Sequence, residues 1–124
     1  MLFRSPEFLS GVLDAVSPLT EDLIKNQAAV GEAVDFLGEA RYGPAVDFLY
    51  GIVHHRDASP TMVQAAIGSL GLIATGDAEA VLSRLAKSPR LDLSQAAGQA
   101  LETVVRERSL LAGLDRYGVE ISTP

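Results

Sequence analysis

Residues 58–89 read ASPTMVQAAIGSLGLIATGDAEAVLSRLAKSP, and this stretch decides the fold. Ser59-Pro60 is a helix start, because Ser caps the free backbone N–H groups and Pro is tolerated where its missing donor is not needed. A helix follows to about Thr75. Gly76-Asp77 closes it and caps a second helix, Ala78–Lys87, with Val81, Leu82 and Leu85 turned inward; Ser88-Pro89 stops it. The nineteen residues Ala58–Gly76 carry no charge. That length would reach across a bilayer. Pro60, Thr61, Gln64, Gly68, Ser69, Gly71 and Thr75 lower its hydropathy, so a helix buried among other helices is the better reading.

Helical spacing extends in both directions. Phe8, Leu9, Val12, Leu13 and Val16 make one stripe of a first helix that Ser5-Pro6 opens. Ser17-Pro18 opens a second, to about Ala40, with Leu23, Val30, Val34 and Leu37 inward and Asn26 as the position where it would kink or break. After the turn Tyr42-Gly43-Pro44, the positions Ala45, Val46, Leu49, Ile52 and Val53 stripe a third helix, which fades at His54-His55-Arg56. Downstream, helices are expected over about Leu93–Arg106 and Ser109–Tyr117. No run alternates long enough to be a strand.

The tripeptide Gln-Ala-Ala occurs at Gln27, Gln64 and Gln95, each in the first helix of a helix pair, and AVDFL occurs at 33–37 and 45–49. Three copies in register with a helix–turn–helix pattern indicate an internal repeat. Small residues cluster in the first helices: Ala28, Ala29, Gly31 and Ala33; Ala65, Ala66 and Gly68; Ala96, Ala97, Gly98 and Ala100. They are expected to face neighbouring helices. A helical Gly costs roughly 0.5–1 kcal/mol relative to Ala, so Gly31, Gly68 and Gly98 should sit at close contacts that compensate.

These units resemble HEAT-like repeats of the short bacterial phycobilisome-lyase type. The middle unit carries the match: Ala65, Ala66, Leu70, Gly71, Ile73, Gly76 and Asp77, then Ala80, Val81 and Leu85. The resemblance covers residues 22–117. It implies an all-α fold: a short right-handed α-solenoid of about three helix pairs (about 18–57, 58–89 and 90–117) with an N-terminal capping helix, 5–16. The family's Arg in the first helix is Gln here, so a hydrogen-bonded Gln27–Gln64–Gln95 ladder would take the place of an Asp/Arg ladder. The resemblance also implies that the second helices form a concave binding face.

Composition fits one aliphatic domain. The 124 residues include 17 Ala and 17 Leu, with 6 % aromatics and no Trp, and helices in close contact have little room for rings. Without Cys there is no disulfide framework, thiolate metal site or Cys nucleophile, which fits a reducing compartment. Met1–Phe8 has no apolar leader run, and the expectation is a cytoplasmic chain. The net charge of −6, with ten basic residues dispersed, argues against nucleic-acid binding and against an anionic membrane surface.

Chemistry-bearing motifs are few: no GxSxG, P-loop, GxGxxG or HExxH occurs. Adjacent His54 and His55 point about 100° apart on a helix, unlike the i,i+4 ligand pairs of helical zinc sites, so they read as polar groups at a helix C-terminus. Asp47, Tyr50 and His54 form a line one turn apart, drawable as a proton relay or as a binding stripe. Glu32, Asp35 and Glu39 share a solvated or contact face. Arg106-Glu107-Arg108 reads as a solvated turn or a phosphate clamp, and Phe48 as partly buried.

The expectation is therefore a non-catalytic protein-interaction module, an adaptor, scaffold or small regulatory subunit, without cofactor or metal. Asp47, Tyr50, His54, Arg84, Lys87 and Arg116 would line its concave surface, and the overall acidity suggests a partner with a basic patch. An accessory lyase- or chaperone-like subunit that handles a tetrapyrrole is one alternative; a nucleic-acid-binding HEAT-like module is another. Leu110, Leu111 and Leu114 in the last helix leave a homodimer open.

Overall fold

The computed structural model describes residues 5–116, with side chains to Ser109. Those residues form six α-helices and no strand: α1 (Pro6–Val16), α2 (Gln27–Glu39), α3 (Val46–Val53), α4 (Pro60–Ile73), α5 (Gly76–Ala86) and α6 (Leu91–Arg116). Helix α4 packs against both α2 and α6. Helix α3 packs on α4, α5 packs on α6, and α1 leans on α2.

The helix starts follow from side-chain oxygens that satisfy free N–H groups. Ser5 and Ser59 accept from Phe8 N and Met62 N, each at 3.2 Å, with Pro6 and Pro60 in the first turns. For α5 the cap is Thr75, whose Oγ1 accepts from Ala78 N, so Gly76-Asp77 belongs to the helix and does not cap it.

Two expected boundaries move. The long second helix splits: Ser17–Asp22 is a 3-10 turn and α2 begins at Gln27. Asn26 makes the break. Its Nδ2 donates to the carbonyls of Leu19 and Asp22, the second of which also accepts Asn26's own backbone N–H, and this local bonding competes with the helix. In the last third the opposite occurs, and the two expected helices are one, α6. Nothing in Arg106-Glu107-Arg108-Ser109 breaks a helix, and both Glu107 and Arg108 have partners on neighbouring turns. Glu107 pairs with Arg41 at 3.0 Å. Arg108 pairs with Glu79 at 2.6 Å and donates to the Ala74 carbonyl at 3.1 Å. This segment is helical, not a solvated turn. The third unit is a single helix rather than a pair.

Arg41 and Ala74, the two residues so clasped, are the non-glycine residues with positive φ among those described, at 55° and 57°. They end α2 and α4 in the left-handed conformation that glycine usually supplies. They lie 33 residues apart, and the same offset relates the buried pairs Ala33/Ala66, Val34/Ile67, Leu37/Leu70, Ala45/Ala78, Leu49/Leu82 and Ile52/Leu85. The structural repeat of the first two helix pairs is thus 33 residues. The Gln27–Gln64 spacing of 37 is one helical turn too long, whereas the Gln64–Gln95 spacing of 31 also relates Met62/Leu93, Ala66/Ala97 and Ile73/Val104.

The core is aliphatic throughout. Leu23, Val30, Val34, Leu37, Leu49, Ile52, Ile67, Leu70, Leu82 and Val104 are its fully buried larger side chains, and no aromatic residue joins them. The rings sit at the margin, where Phe8 meets Phe36 edge to face at 6.1 Å. Close approach happens at glycines other than the expected ones. A Cβ at Gly68 or Gly98 would meet nothing within 4 Å, and Ala28, Ala29 and Gly68 are exposed. At Gly38 a Cβ would lie 2.5 Å from Ser69 Cβ, and at Gly71 it would lie 3.0 Å from the Ala100 carbonyl oxygen. These two glycines, again 33 residues apart, bring α2 against α4 and α4 against α6. Ser69, buried at the first contact, donates its hydroxyl to the Val34 carbonyl at 2.9 Å.

Candidate partner-binding face

Helix α3 buries Val46, Leu49, Ile52 and Val53 and turns Tyr50 and His54 outward, one turn apart. His54 is the C-cap residue. Its Nδ1 lies 3.2 Å from the Tyr50 carbonyl, so one ring nitrogen satisfies a free helix-end acceptor. The two rings meet edge to face at 4.6 Å. From the last turn of α5, Arg84 reaches over: its Cζ stands 5.7 Å from the Tyr50 ring centre and its Nη1 lies 3.4 Å from the phenol oxygen. The hydrogen bond is long, so the ring face holds the guanidinium at least as much, for about 0.5–1 kcal/mol at an exposed site. Tyr50, His54 and Arg84 thus form one cluster across two helices. Lys87, the C-cap of α5, is exposed one turn beyond Arg84. Among the described residues neither Arg84 nor Lys87 takes part in an ion pair.

The remaining expected positions do not join this cluster. Asp47 instead borders a depression with Asp14, Ser17, Thr20 and Gly51. The relay line Asp47–Tyr50–His54 is not built: the His54 nitrogen meets a backbone carbonyl, and its contact with Tyr50 is ring against ring. Arg116 ends α6, and its side chain lies outside the described residues, as do those of Leu110, Leu111 and Leu114. Gln27, Gln64 and Gln95 are all exposed. Gln64 and Gln95 border one groove between α4 and α6, together with Gln99, while Gln27 lies off its rim.

His55 is structural. Its Nε2 lies 2.8 Å from the Thr20 carbonyl and must donate; its Nδ1 accepts from the Asp57 N–H at 3.1 Å. The two bonds fix a neutral tautomer that ties the 3-10 turn to the end of α3. No group of three or more His, Asp or Glu among the described residues could hold a metal ion. No helix of the described residues is long and apolar enough to cross a membrane.

Two further cations stand nearby: Arg56, which the sequence places at the end of the third helix, and Arg90, which no sequence signal singled out. Arg56 and Arg90 stand at the turns α3–α4 and α5–α6, which border a common cleft near His54. A helix-pair repeat places its successive turns side by side, and each turn carries an Arg. Arg90 also donates to Asp92 at 3.0 Å, and this bond holds the exposed Asp92 carboxyl below its usual range. Comparison with family models, with curated proteins and with solved structures yields no match to this chain.

Proposed function

We propose that the chain is a short HEAT-like α-solenoid and a non-catalytic protein-interaction module, which binds its partner on the face made by α3 and α5. The solenoid reading is supported by the packing of α4 against both α2 and α6, by α3 and α5 alongside them, and by the 33-residue repetition of buried positions and left-handed caps. One observation carries the binding reading: Tyr50, His54 and Arg84 converge from two helices onto an exposed surface. Tyr and Arg are the side chains most enriched at the energetic centres of interfaces. The packing of Arg84 on the ring pre-orders both side chains and reduces the entropy lost on binding.

The local charge changes the expected partner. Although the chain is acidic overall, Arg84, Lys87, Arg56 and Arg90 stand at the α3 and α5 C-terminal side of the molecule. The partner is therefore an acidic protein surface, contrary to the basic patch inferred from net charge. Capture from native lysate by wild type, Tyr50→Ala and Arg84→Glu tests this. At least one captured protein should be lost from both variants while their melting curves stay within a few degrees of wild type. Capture that neither change weakens would overturn the face.

A further inference from the structure

The cleft between the α3–α4 and α5–α6 turns measures about 440 Å³, within the range of small-molecule sites of roughly 300–1,000 Å³. Part of its lining is apolar: the half-buried Ala58, Val63 and Ala96 face it over the buried Val53, Ile67 and Leu93. Its rim is cationic. Arg56 makes no ion pair among the described residues. Arg90 spends one Nη on Asp92 and keeps its other donors. His55 lines the cleft without adding charge, because both its ring nitrogens are engaged in the neutral form. Two guanidinium groups against one carboxylate leave one positive charge beside this apolar lining, in a chain of net charge −6.

We propose that this cleft binds a monoanionic amphiphile: a small aliphatic or aromatic body ending in a carboxylate. A guanidinium fork matches a carboxylate with two parallel hydrogen bonds. One negative charge balances the rim, whereas a dianionic phosphate would leave an excess beside Asp92. The apolar body covers the half-buried Ala58, Val63 and Ala96. The site adjoins the partner face at His54 and shares Arg56 and Arg90 with the basic side invoked there, but octanoate binding is read on the isolated chain and so fails or succeeds separately from partner capture.

Amide NMR spectra of the full chain, titrated with octanoate, test the assignment. Saturable shifts are expected at residues 53–58 and 90–96. Binding of 1-octanol, which lacks the charge, should be weaker by about fivefold or more, and acetate, which lacks the body, should give no saturation in the same range. Arg56→Gln combined with Arg90→Gln should weaken octanoate by a similar factor. Arg56→Gln alone, which removes no ion pair, should weaken it part of the way and serves if the double variant does not fold. Absence of shifts at those amides, equal binding of 1-octanol, or octanoate binding unchanged by Arg56→Gln would each overturn the proposal.

Discussion

Gly38 is the position at which the helix packing is most sensitive to a single methyl group. In Gly38→Ala the new Cβ would sit 2.5 Å from Ser69 Cβ and 2.8 Å from Ser69 Cα, and the second of these belongs to the backbone of α4. No rotamer change relieves a backbone contact, so α2 and α4 must move apart. Overpacking costs about 1–3 kcal/mol, and contact with the backbone argues for the upper end. Ala gains about 0.5–1 kcal/mol over Gly in a helix, which leaves a net loss of about 2 kcal/mol. For a domain of this size that is a fall in Tm of roughly 8 °C. Gly68→Ala provides the contrast, because its Cβ meets nothing within 4 Å. It should gain only the propensity term and melt roughly 2–4 °C higher. Urea and thermal unfolding followed by far-UV circular dichroism reads both. Ser69→Gly removes the two side-chain contacts but not the one with Cα, so in the Gly38→Ala background it should cost less than it does in wild type, with a coupling of about 1 kcal/mol. If Gly38→Ala is as stable as wild type, or if the two alanines shift Tm alike, the close approach of α2 and α4 is wrong.

Ala74→Gly should raise stability by about 1 kcal/mol, because φ of 57° strains an L-residue, whereas Arg41→Gly should gain less by losing the Glu107 pair; denaturant midpoints compare them. Arg108→Gln removes an ion pair between half-exposed groups and a bond to the Ala74 carbonyl; the loss should stay within about 1 kcal/mol and shrink in high salt, as unfolding at two ionic strengths will show. The Asp92 carboxyl is held below its usual value chiefly by its hydrogen bond from Arg90. A depressed folded-state pKa stabilises the fold above the ordinary carboxylate range and ceases to as pH falls through the folded value. Arg90→Gln should therefore raise the Asp92 midpoint in a side-chain NMR titration, and an unmoved midpoint would contradict the pairing.

Apolar periodicity located the core well. Leu23, Val30, Val34 and Leu37, and the α3 stripe from Ala45 to Val53, are all buried as their spacing requires. Breaks were harder to read, because they depend on what meets the chain end. Asn26 breaks a helix because two carbonyls lie within its reach, and Arg106–Ser109 continues one because Arg41, Glu79 and Ala74 lie alongside. The same limit applies to the glycines. Gly31, Gly68 and Gly98 follow the Gln-Ala-Ala copies, yet contact depends on which side of the helix a residue occupies, and that places Gly38 and Gly71 inside. The left-handed caps escaped notice because Arg41 and Ala74 are not glycine. In the candidate site, helical spacing put Tyr50 and His54 together on α3, and the resemblance to HEAT-like repeats put Arg84 on the same side. Asp47 shares their side of the helix by spacing, yet it borders the depression toward Asp14, Ser17 and Thr20 and takes no part in the Tyr50–Arg84 pair.

The most direct test of the partner-binding face is site-specific photocrosslinking in native lysate, with the photoreactive group at position 50 in one protein and at position 32, on α2, in another. Glu32 is exposed and serves as the reference. A discrete adduct is expected from position 50, lost on Arg84→Glu and absent from position 32. An adduct from position 32 alone, or one from position 50 that survives Arg84→Glu undiminished, would contradict the partner-binding face.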